Sequence, residues 1–255
     1  MQIVLFQKDI VWADPQANRK RMREAVVSAS DADLYVFPEM FSTGFVTSPE
    51  GVAEEAPSET LELMKELSRA RGAAITGSIA LHENGRYYNR LYFVKPDGSV
   101  VHYDKHHLFT YSGEDKTFTA GHDRVIVEWK GVRFLINVCY DLRFPVWTRN
   151  RGDYDAAIYV ASWPVSRRFA WDLLVRARAI ENQCYVIAVN RVGNDPSCDY
   201  DGGSVMVNPY GELEAACSDG VEDCVKVFLD MEELKRFRCK FPVLNDQDDF
   251  LIKSL

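Results

Sequence analysis

Short apolar segments of strand-like character recur along nearly the whole chain, and this recurrence restricts the fold more than any other sequence feature. Asn-Gly, Asp-Gly and Lys-Gly pairs, which favour tight hairpin turns, separate several of the segments. So many strands with only a few helices predict a mixed sheet, or two sheets packed together, with helices outside. The segments cover residues 2–7, 34–39, 73–81, 87–94, 100–105, 125–129, 132–138, 156–162, 184–190, 202–208 and 224–230.

Helix signals lie between some of these strands. Asp14 and Pro15 supply an N-cap and a proline at the first helical position, for a helix that runs to about Ala29. Ser58 begins a second helix, in which leucines recur at helical spacing, and Gly72 ends it. Two further helices are predicted at 168–183 and, as a short element, at 231–237.

The composition is that of an ordinary globular protein, and its charge excludes one class of partner. With 30 basic and 38 acidic residues the formal net charge is −8, whereas a nucleic-acid-binding protein needs a basic face. No repeat, low-complexity linker or domain boundary divides the sequence. We therefore predict one domain over residues 1–255, which is long enough to bury a core without disulfides or metal ions.

The sequence shows no sign of secretion or of a membrane partner. Its first residues, MQIVLFQKDIVW, enter a strand pattern without a basic region, and no apolar run approaches the length of a membrane span. The six cysteines are scattered and form no CxxC pair, so we expect reduced thiols in a cytoplasmic protein. The tail at 244–255 has no partner element in the sequence, and it either packs on the body or reaches a second subunit.

Three chemically complementary residues follow three of the predicted strands. Glu39, Lys105 and Cys139 each stand where a strand-like segment ends, at the edge where open α/β sheets place their sites. A carboxylate can take the proton of a thiol nucleophile, and an ammonium can stabilise an oxyanion, helped by the backbone N–H of Tyr140. A helix opened by LRFPVWTRN would also favour the thiolate. The set is complete for a thiol hydrolase.

Taken singly, each of these residues also has a structural interpretation. A buried cysteine is more often a small hydrophobic residue than a nucleophile. Glu39 follows a proline, so its side chain could equally cap a turn. Lys105 could equally be a solvent-exposed lysine at the end of a strand.

The segments around the three residues resemble a known family. VFPEMFSTGF (36–45), YDKHHLF (103–109) and NVCYDLRFPVWTRN (137–150) resemble the signature blocks of the nitrilase, or carbon-nitrogen hydrolase, family, and 161–193 and 202–212 resemble its later segments. The blocks are most similar to the omega-amidase (2-oxoglutaramate amidase) branch. The resemblance implies a four-layer α-β-β-α sandwich, no cofactor and a homodimer formed through the outer helices.

The resemblance also implies roles for individual residues. In the family the matching glutamate is the general base, the lysine stabilises the oxyanion and the cysteine is the nucleophile, which gives these roles to Glu39, Lys105 and Cys139. A second glutamate often follows the lysine block; Glu114 is the candidate, with Asp115 as the alternative.

Other residues are candidates for substrate binding, each with a structural alternative. Arg143 and Arg167 suit a substrate carboxylate, because arginine binds carboxylates through two parallel hydrogen bonds, but either can instead form a structural ion pair. Tyr140 joins this set through its N–H. Trp163 and Phe41 lie near strand ends and either wall the pocket or belong to the core.

The histidines near Lys105 do not predict a metal site. His102 and His106 would be about 13 Å apart in a strand, and neighbouring residues 106 and 107 would point in opposite directions. HExxH and paired CxxC motifs are also missing from the sequence. We therefore expect neither a metal nor a cofactor.

The functional expectation is an amidase that acts on small 2-oxo acid amides. It would hydrolyse the terminal amide of 2-oxoglutaramate or 2-oxosuccinamate through a thioester on the cysteine. The resemblance associates this branch, in bacteria, with methionine salvage. Two alternatives stay open. One is another branch of the family, such as a different amidase, a carbamoylase or a nitrile hydrolase, and the other is a non-catalytic thiol-based binding or redox protein.

Overall fold

The computed structural model describes residues 1–252 of the chain, in which strands and helices alternate. The strands are β1 (Gln2–Gln7), β2 (Leu34–Val36), β3 (Glu54–Glu55), β4 (Ala74–Glu83), β5 (Arg86–Val94), β6 (Val100–Asp104), β7 (Ile126–Trp129), β8 (Val132–Val138), β9 (Ala156–Ala161), β10 (Tyr185–Asn190), β11 (Val192–Asn194), β12 (Asp199–Asp201), β13 (Val205–Val207), β14 (Leu213–Ala216) and β15 (Asp223–Phe228). The α-helices are α1 (Pro15–Ser28), α2 (Glu59–Arg71), α3 (Pro145–Thr148), α4 (Arg168–Glu181) and α5 (Met231–Lys240).

The long strands form two mixed sheets. The first has the order β15-β1-β2-β4-β5-β6, with β3 paired to β4, and the second has the order β14-β13-β10-β9-β8-β7. Three central strands of each sheet are parallel, namely β1-β2-β4 and β8-β9-β10, so their carboxyl ends lie at one edge. Parallel neighbours need crossover connections, and α1, α2 and α4 lie in such connections.

The two sheets pack face to face, with helices on both outer faces. Between the sheets the rings of Phe93 and Phe134 approach to 6.0 Å within a shared apolar core. On the outer face of the first sheet, Met22 of α1 and Met64 of α2 are buried. On the outer face of the second, Trp171 of α4 is buried. The four-layer α-β-β-α sandwich that the resemblance implies is therefore confirmed.

The predicted helix boundaries agree closely with the observed ones. The Asp14 side chain accepts a hydrogen bond from the Ala17 N–H at 2.9 Å, and Ser58 caps α2 in the same way through the Leu61 N–H at 3.0 Å. Gly72 ends α2 in the left-handed conformation, with a φ of 62°.

Several strand predictions need correction. The segment 34–39 is a strand only to Val36, because Pro38 has no N–H to continue the ladder and a turn begins at Glu39. The segment 202–208 contains only β13, since Gly202 and Gly203 adopt φ values of 85° and 82°, which an extended strand excludes. The short strands β3, β11, β12 and β14 were not predicted, because so few residues carry no clear alternation.

The segment after β8 also differs from the expected helix. Residues Cys139–Arg143 form a 3₁₀ turn, and α3 that follows is only four residues long. A helix this short supplies little dipole to the thiol. Within residues 1–252 no helix combines the length and apolar character needed to cross a membrane.

Part of the tail, residues 244–252, lies in the described structure, where the Arg151 guanidinium lies over the Phe250 ring at 4.8 Å. The rest of the predicted tail falls outside the described residues.

Candidate active site

The edge at which the parallel strands end brings together side chains from both sheets. Lys105 follows β6 directly and donates to Glu39, beyond β2, over 2.9 Å between Nζ and Oε1. Both side chains are completely buried. Cys139 follows β8 directly. Its thiol lies close enough to the Glu39 carboxylate and the Lys105 ammonium for both charges to affect its pKa.

Glu114 joins Glu39, Lys105 and Cys139 in one cluster, as its second acidic residue. Its Oε2 accepts from Lys105 Nζ at 2.9 Å and from the Phe109 N–H at 2.6 Å, and its side chain is completely buried. Asp115 is exposed on the outside of the same turn. The geometry therefore favours Glu114 over Asp115.

Two further residues, neither of them a sequence-based candidate, contact Glu39. Asn89 Nδ2 donates to Glu39 Oε1 at 2.8 Å and to Glu114 Oε1 at 3.1 Å. The Ser162 N–H donates to Glu39 Oε2 at 2.8 Å. Asn89 lies in the buried part of β5, and the sequence alone carries no signal for it, because its burial follows only from the strand pairing.

Cys139 occupies a strained turn that Asp141 holds in place. Its φ is 46°, a left-handed conformation that non-glycine residues adopt only when their surroundings enforce it. The buried Asp141 carboxylate accepts from the Val138 N–H at 2.9 Å, from Tyr103 Oη at 2.8 Å and from the His107 N–H at 3.0 Å. These bonds tie the turn to the end of β8 and to the segment that carries Lys105, so they hold Cys139 in its left-handed conformation.

The cluster fixes the protonation states of its members. Burial, reinforced by the charge of Glu39, raises the pKa of the Cys139 thiol well above its ordinary value. Burial alone would lower the pKa of Lys105, but the charges of Glu114 and Glu39 outweigh it and raise that pKa. Burial also raises the pKa of Glu114, against the opposing effect of Lys105. At neutral pH the site therefore holds a neutral thiol beside a charged lysine.

A cavity of about 540 Å³ opens onto Cys139. Seven of the nineteen residues that line it are aromatic, and aromatic side chains with a few polar groups are typical of small-molecule sites. Among the predicted substrate-binding residues, Tyr140, Arg143, Trp163 and Arg167 line it. Aromatic residues that were not predicted also line it, namely Trp12, Phe45, Phe109, Tyr111 and Tyr200.

Both arginines of the cavity lie over aromatic rings rather than beside carboxylates. The Arg143 guanidinium lies 4.8 Å from the Trp163 ring centre, and that of Arg167 lies 5.1 Å from the Phe109 ring centre. Neither forms an ion pair with a carboxylate of the described residues, whereas the adjacent Arg168 contacts three aspartates. The cavity thus presents two cations that are available to an anionic ligand.

The prediction that Phe41 walls the cavity is wrong. Its side chain is buried in the layer between the first sheet and its helices, where it packs on Phe37 with ring centres 5.1 Å apart. Gly77 lies against its ring and leaves no room for a side chain there. Phe45, four residues further along, takes the expected place and lies 5.2 Å below the Lys105 ammonium.

The histidines of the second block have structural contacts. His106 stacks on Trp147 with ring centres 3.7 Å apart, and His107 stacks on Phe144 at the same distance. His107 Nδ1 also contacts Asp141 at 2.8 Å. Among residues 1–252 no group of three or more histidines, cysteines or acidic residues is arranged to hold a metal ion.

Known proteins resemble this chain over nearly its full length. The sequence profile of the Carbon-nitrogen hydrolase family matches residues 2–238. The chain is 43% identical to Omega-amidase YafV of Yersinia enterocolitica, over 99% of this chain and 98% of that protein. It is 32% identical to 2-oxoglutaramate amidase of Bacillus subtilis (strain 168), over 96% of each. A crystal structure from Xanthomonas campestris, of the CN-hydrolase superfamily protein XC1258 with an arsenic adduct in its active site, superimposes with a TM-score of 0.96 at 38% identity, over 99% of each chain.

Proposed function

The chain belongs to the carbon-nitrogen hydrolase family, and within it we propose that the protein is an omega-amidase. It hydrolyses the terminal amide of a small 2-oxo acid, with 2-oxoglutaramate and 2-oxosuccinamate as substrates. The products are the 2-oxo dicarboxylate and ammonia. The relatives named omega-amidase and 2-oxoglutaramate amidase support this substrate class.

One structural observation carries the proposal. Arg143 and Arg167, neither of them paired with a carboxylate of the described chain, line the same cavity as Cys139. Such a cavity suits a substrate with a carboxylate at one end and an amide at the other, because a guanidinium binds a carboxylate through two parallel hydrogen bonds. An uncharged amide or nitrile would leave both cations without a partner.

The first half of the reaction forms a thioester. Cys139 enters as the neutral thiol, and Glu39 takes its proton as the sulfur attacks the amide carbon. Lys105 and the Tyr140 N–H stabilise the oxyanion, at roughly 3–4 kcal/mol for each donor in comparable sites. Glu39 then passes the proton to the nitrogen, and ammonia leaves.

The second half releases the acid. Glu39 removes a proton from a water molecule as the water attacks the thioester, and the same two donors stabilise the second oxyanion. Glu114 remains beside Lys105 throughout, at 2.9 Å, and keeps the ammonium charged and in place. Cys139 regains its proton when the thioester breaks.

Three further features of the proposal concern the setting of the enzyme. The protein acts in the cytoplasm, in methionine salvage, and it forms a homodimer. The outer face of α4 supports the dimer, because Phe169, Leu173 and Ile180 on that helix are 81%, 57% and 53% exposed. Exposed apolar side chains at helical spacing indicate a surface that another chain covers.

Ammonia release from five compounds tests the substrate. The panel is 2-oxoglutaramate, 2-oxosuccinamate, glutamine, an N-carbamoyl amine and a simple nitrile. We expect fast release from the two oxo-amides alone. Release only from the carbamoyl amine or the nitrile would overturn the substrate, and no release from folded protein would overturn the assignment as an amidase.

A further inference from the structure

Asn89 is the only amide side chain of the described structure that bonds both carboxylates of the cluster. Its Nδ2 group donates one hydrogen bond to Glu39 Oε1 and one to Glu114 Oε1, at 2.8 and 3.1 Å. Its backbone C=O accepts from the Lys105 N–H at 3.0 Å. One residue therefore contacts the three charged members of the cluster, through its side chain or its backbone, and it is completely buried itself.

The orientation of the Asn89 amide is fixed by this environment. In the opposite orientation Oδ1 would face two carboxylates, and both contacts would become repulsive. In the observed orientation Oδ1 has no hydrogen-bond partner among residues 1–252. The two carboxylates thus hold the amide in place although its other end lacks a partner.

The contacts of Asn89 make the two oxygens of Glu39 different. Oε1 accepts from both Asn89 and Lys105, so both of its lone pairs are occupied. Among residues 1–252, Oε2 accepts only from the Ser162 N–H, which leaves one of its lone pairs free. The free lone pair is the place for the proton of Cys139.

We propose that Asn89 is a positioning residue that makes Oε2 the proton-accepting oxygen of Glu39 and keeps the carboxylate pair charged in the working pH range. The inference rests on the proposed roles of Glu39 and Cys139. Without the amide, Oε1 regains a free lone pair and the carboxylates lose a donor that favours their charged form. The base then protonates at a higher pH and accepts the thiol proton at either oxygen.

The pH dependence of an Asn89→Leu variant tests this role. We expect kcat on 2-oxoglutaramate to fall roughly 10- to 100-fold with little change in KM, since the amide assists proton transfer and not substrate binding. The acid limb of the kcat/KM profile should move up by about one pH unit, because a donor to the charged form is lost. Asn150→Leu is the matched control. It removes a completely buried asparagine at the opposite edge of the second sheet, so it should lower stability and leave the acid limb unchanged.

A second variant and a second readout keep the test decisive. Asn89→Asp preserves the shape of the side chain and places a third carboxylate in the cluster, so its acid limb should lie at least as high as that of Asn89→Leu. Alkylation of Cys139 by iodoacetamide gives the same pH profile without any substrate. It therefore tests Asn89 even if the panel above refutes the oxo-amide substrates. An acid limb that coincides with wild type in either folded variant, by both readouts, would overturn the proposal.

Discussion

Lys105 donates a hydrogen bond to Glu39 across 2.9 Å, although 66 positions separate the two residues and neither side chain is exposed. With Glu114 on its other side, this single cation balances two buried carboxylates. Transfer of three charges out of water costs several kcal/mol for each ion. The two buried carboxylates are therefore tolerated only while Lys105 stays in place. The same lysine thus serves the site and contributes to the stability of the fold.

Replacement of Lys105 by Met should destabilise the protein as well as inactivate it. Two carboxylates would then be buried without a cation, which costs about 3–5 kcal/mol of unfolding free energy when one partner of a buried pair is removed. Urea unfolding at neutral pH measures this. Lys235→Met is the control, because that lysine pairs with Glu232 on the exposed surface and its loss should leave the free energy of unfolding nearly unchanged. Equal stability of Lys105→Met and wild type would contradict the account.

Asp141 should matter for the rate because it holds the nucleophile turn. Asp141→Asn replaces one acceptor oxygen by an NH₂ donor, which faces the Val138 N–H in one orientation and the His107 N–H in the other. We expect a fall in kcat of about 10²-fold, as for other displacements of a reacting group. The alkylation rate of Cys139 should fall with it. Asp97→Asn, in an exposed hairpin turn away from the site, should change neither rate. Wild-type kcat in Asp141→Asn would contradict this, because it would show that the turn keeps its conformation without the Asp141 hydrogen bonds.

Arg167→Ala should impair the binding of a charged substrate selectively. The expected rise in KM for 2-oxoglutaramate is roughly 10- to 100-fold, the size of a lost charge-assisted pair, with a much smaller rise for an uncharged amide. Arg143→Ala should act in the same direction. Arg176→Ala, on the helix α4 that follows Arg167, is the control, since its guanidinium contacts the backbone of Gly211. An equal rise for both substrates would remove Arg167 from the carboxylate site.

Asp155 gives the protein a stability that depends on pH. Burial alone would raise its pKa, but hydrogen bonds from Arg133 and the charge of Arg238 outweigh this and hold the pKa below its ordinary value. A carboxyl whose pKa is lower in the folded state stabilises the fold above its unfolded value and loses this effect as the pH falls. Asp155→Asn should therefore cost about 1–3 kcal/mol at pH 7, and the cost should shrink progressively as the pH falls from about 4 through the lower folded pKa. A cost that does not change with pH over this range would contradict the ion-pair explanation.

The parts of the fold that depend on local pattern were predictable from the sequence. The caps at Asp14 and Ser58 and the stop at Gly72 are local hydrogen-bond and backbone preferences, and the observed helix ends confirm them. The four-layer arrangement was not local and came from the resemblance. Short strands such as β11 and β12 were not predictable, because their pairing depends on the neighbouring body rather than on three residues of sequence.

The residues of the candidate site likewise fall into those that the sequence predicts and those that only the structure reveals. Glu39, Lys105 and Cys139 could be singled out because strand ends concentrate reactive side chains at one edge. Asn89 could not, since an asparagine within a strand segment has no recognisable position in the pattern until the strand pairing places it opposite Lys105. Phe41 and Phe45 are both aromatic residues after β2, and only the direction of the chain beyond the strand decides which one reaches the cavity.

The central claim is that Cys139 forms the thioester, and the rate of ammonia release from 2-oxoglutaramate by Cys139→Ala tests it most directly. Cys224→Ala, which removes an exposed cysteine of β15, is the control and should keep the wild-type rate. We predict that Cys139→Ala folds as wild type does and loses activity by about 10⁴-fold or more, since no other group of the site replaces a nucleophile. A rate close to wild type in folded Cys139→Ala would contradict the account.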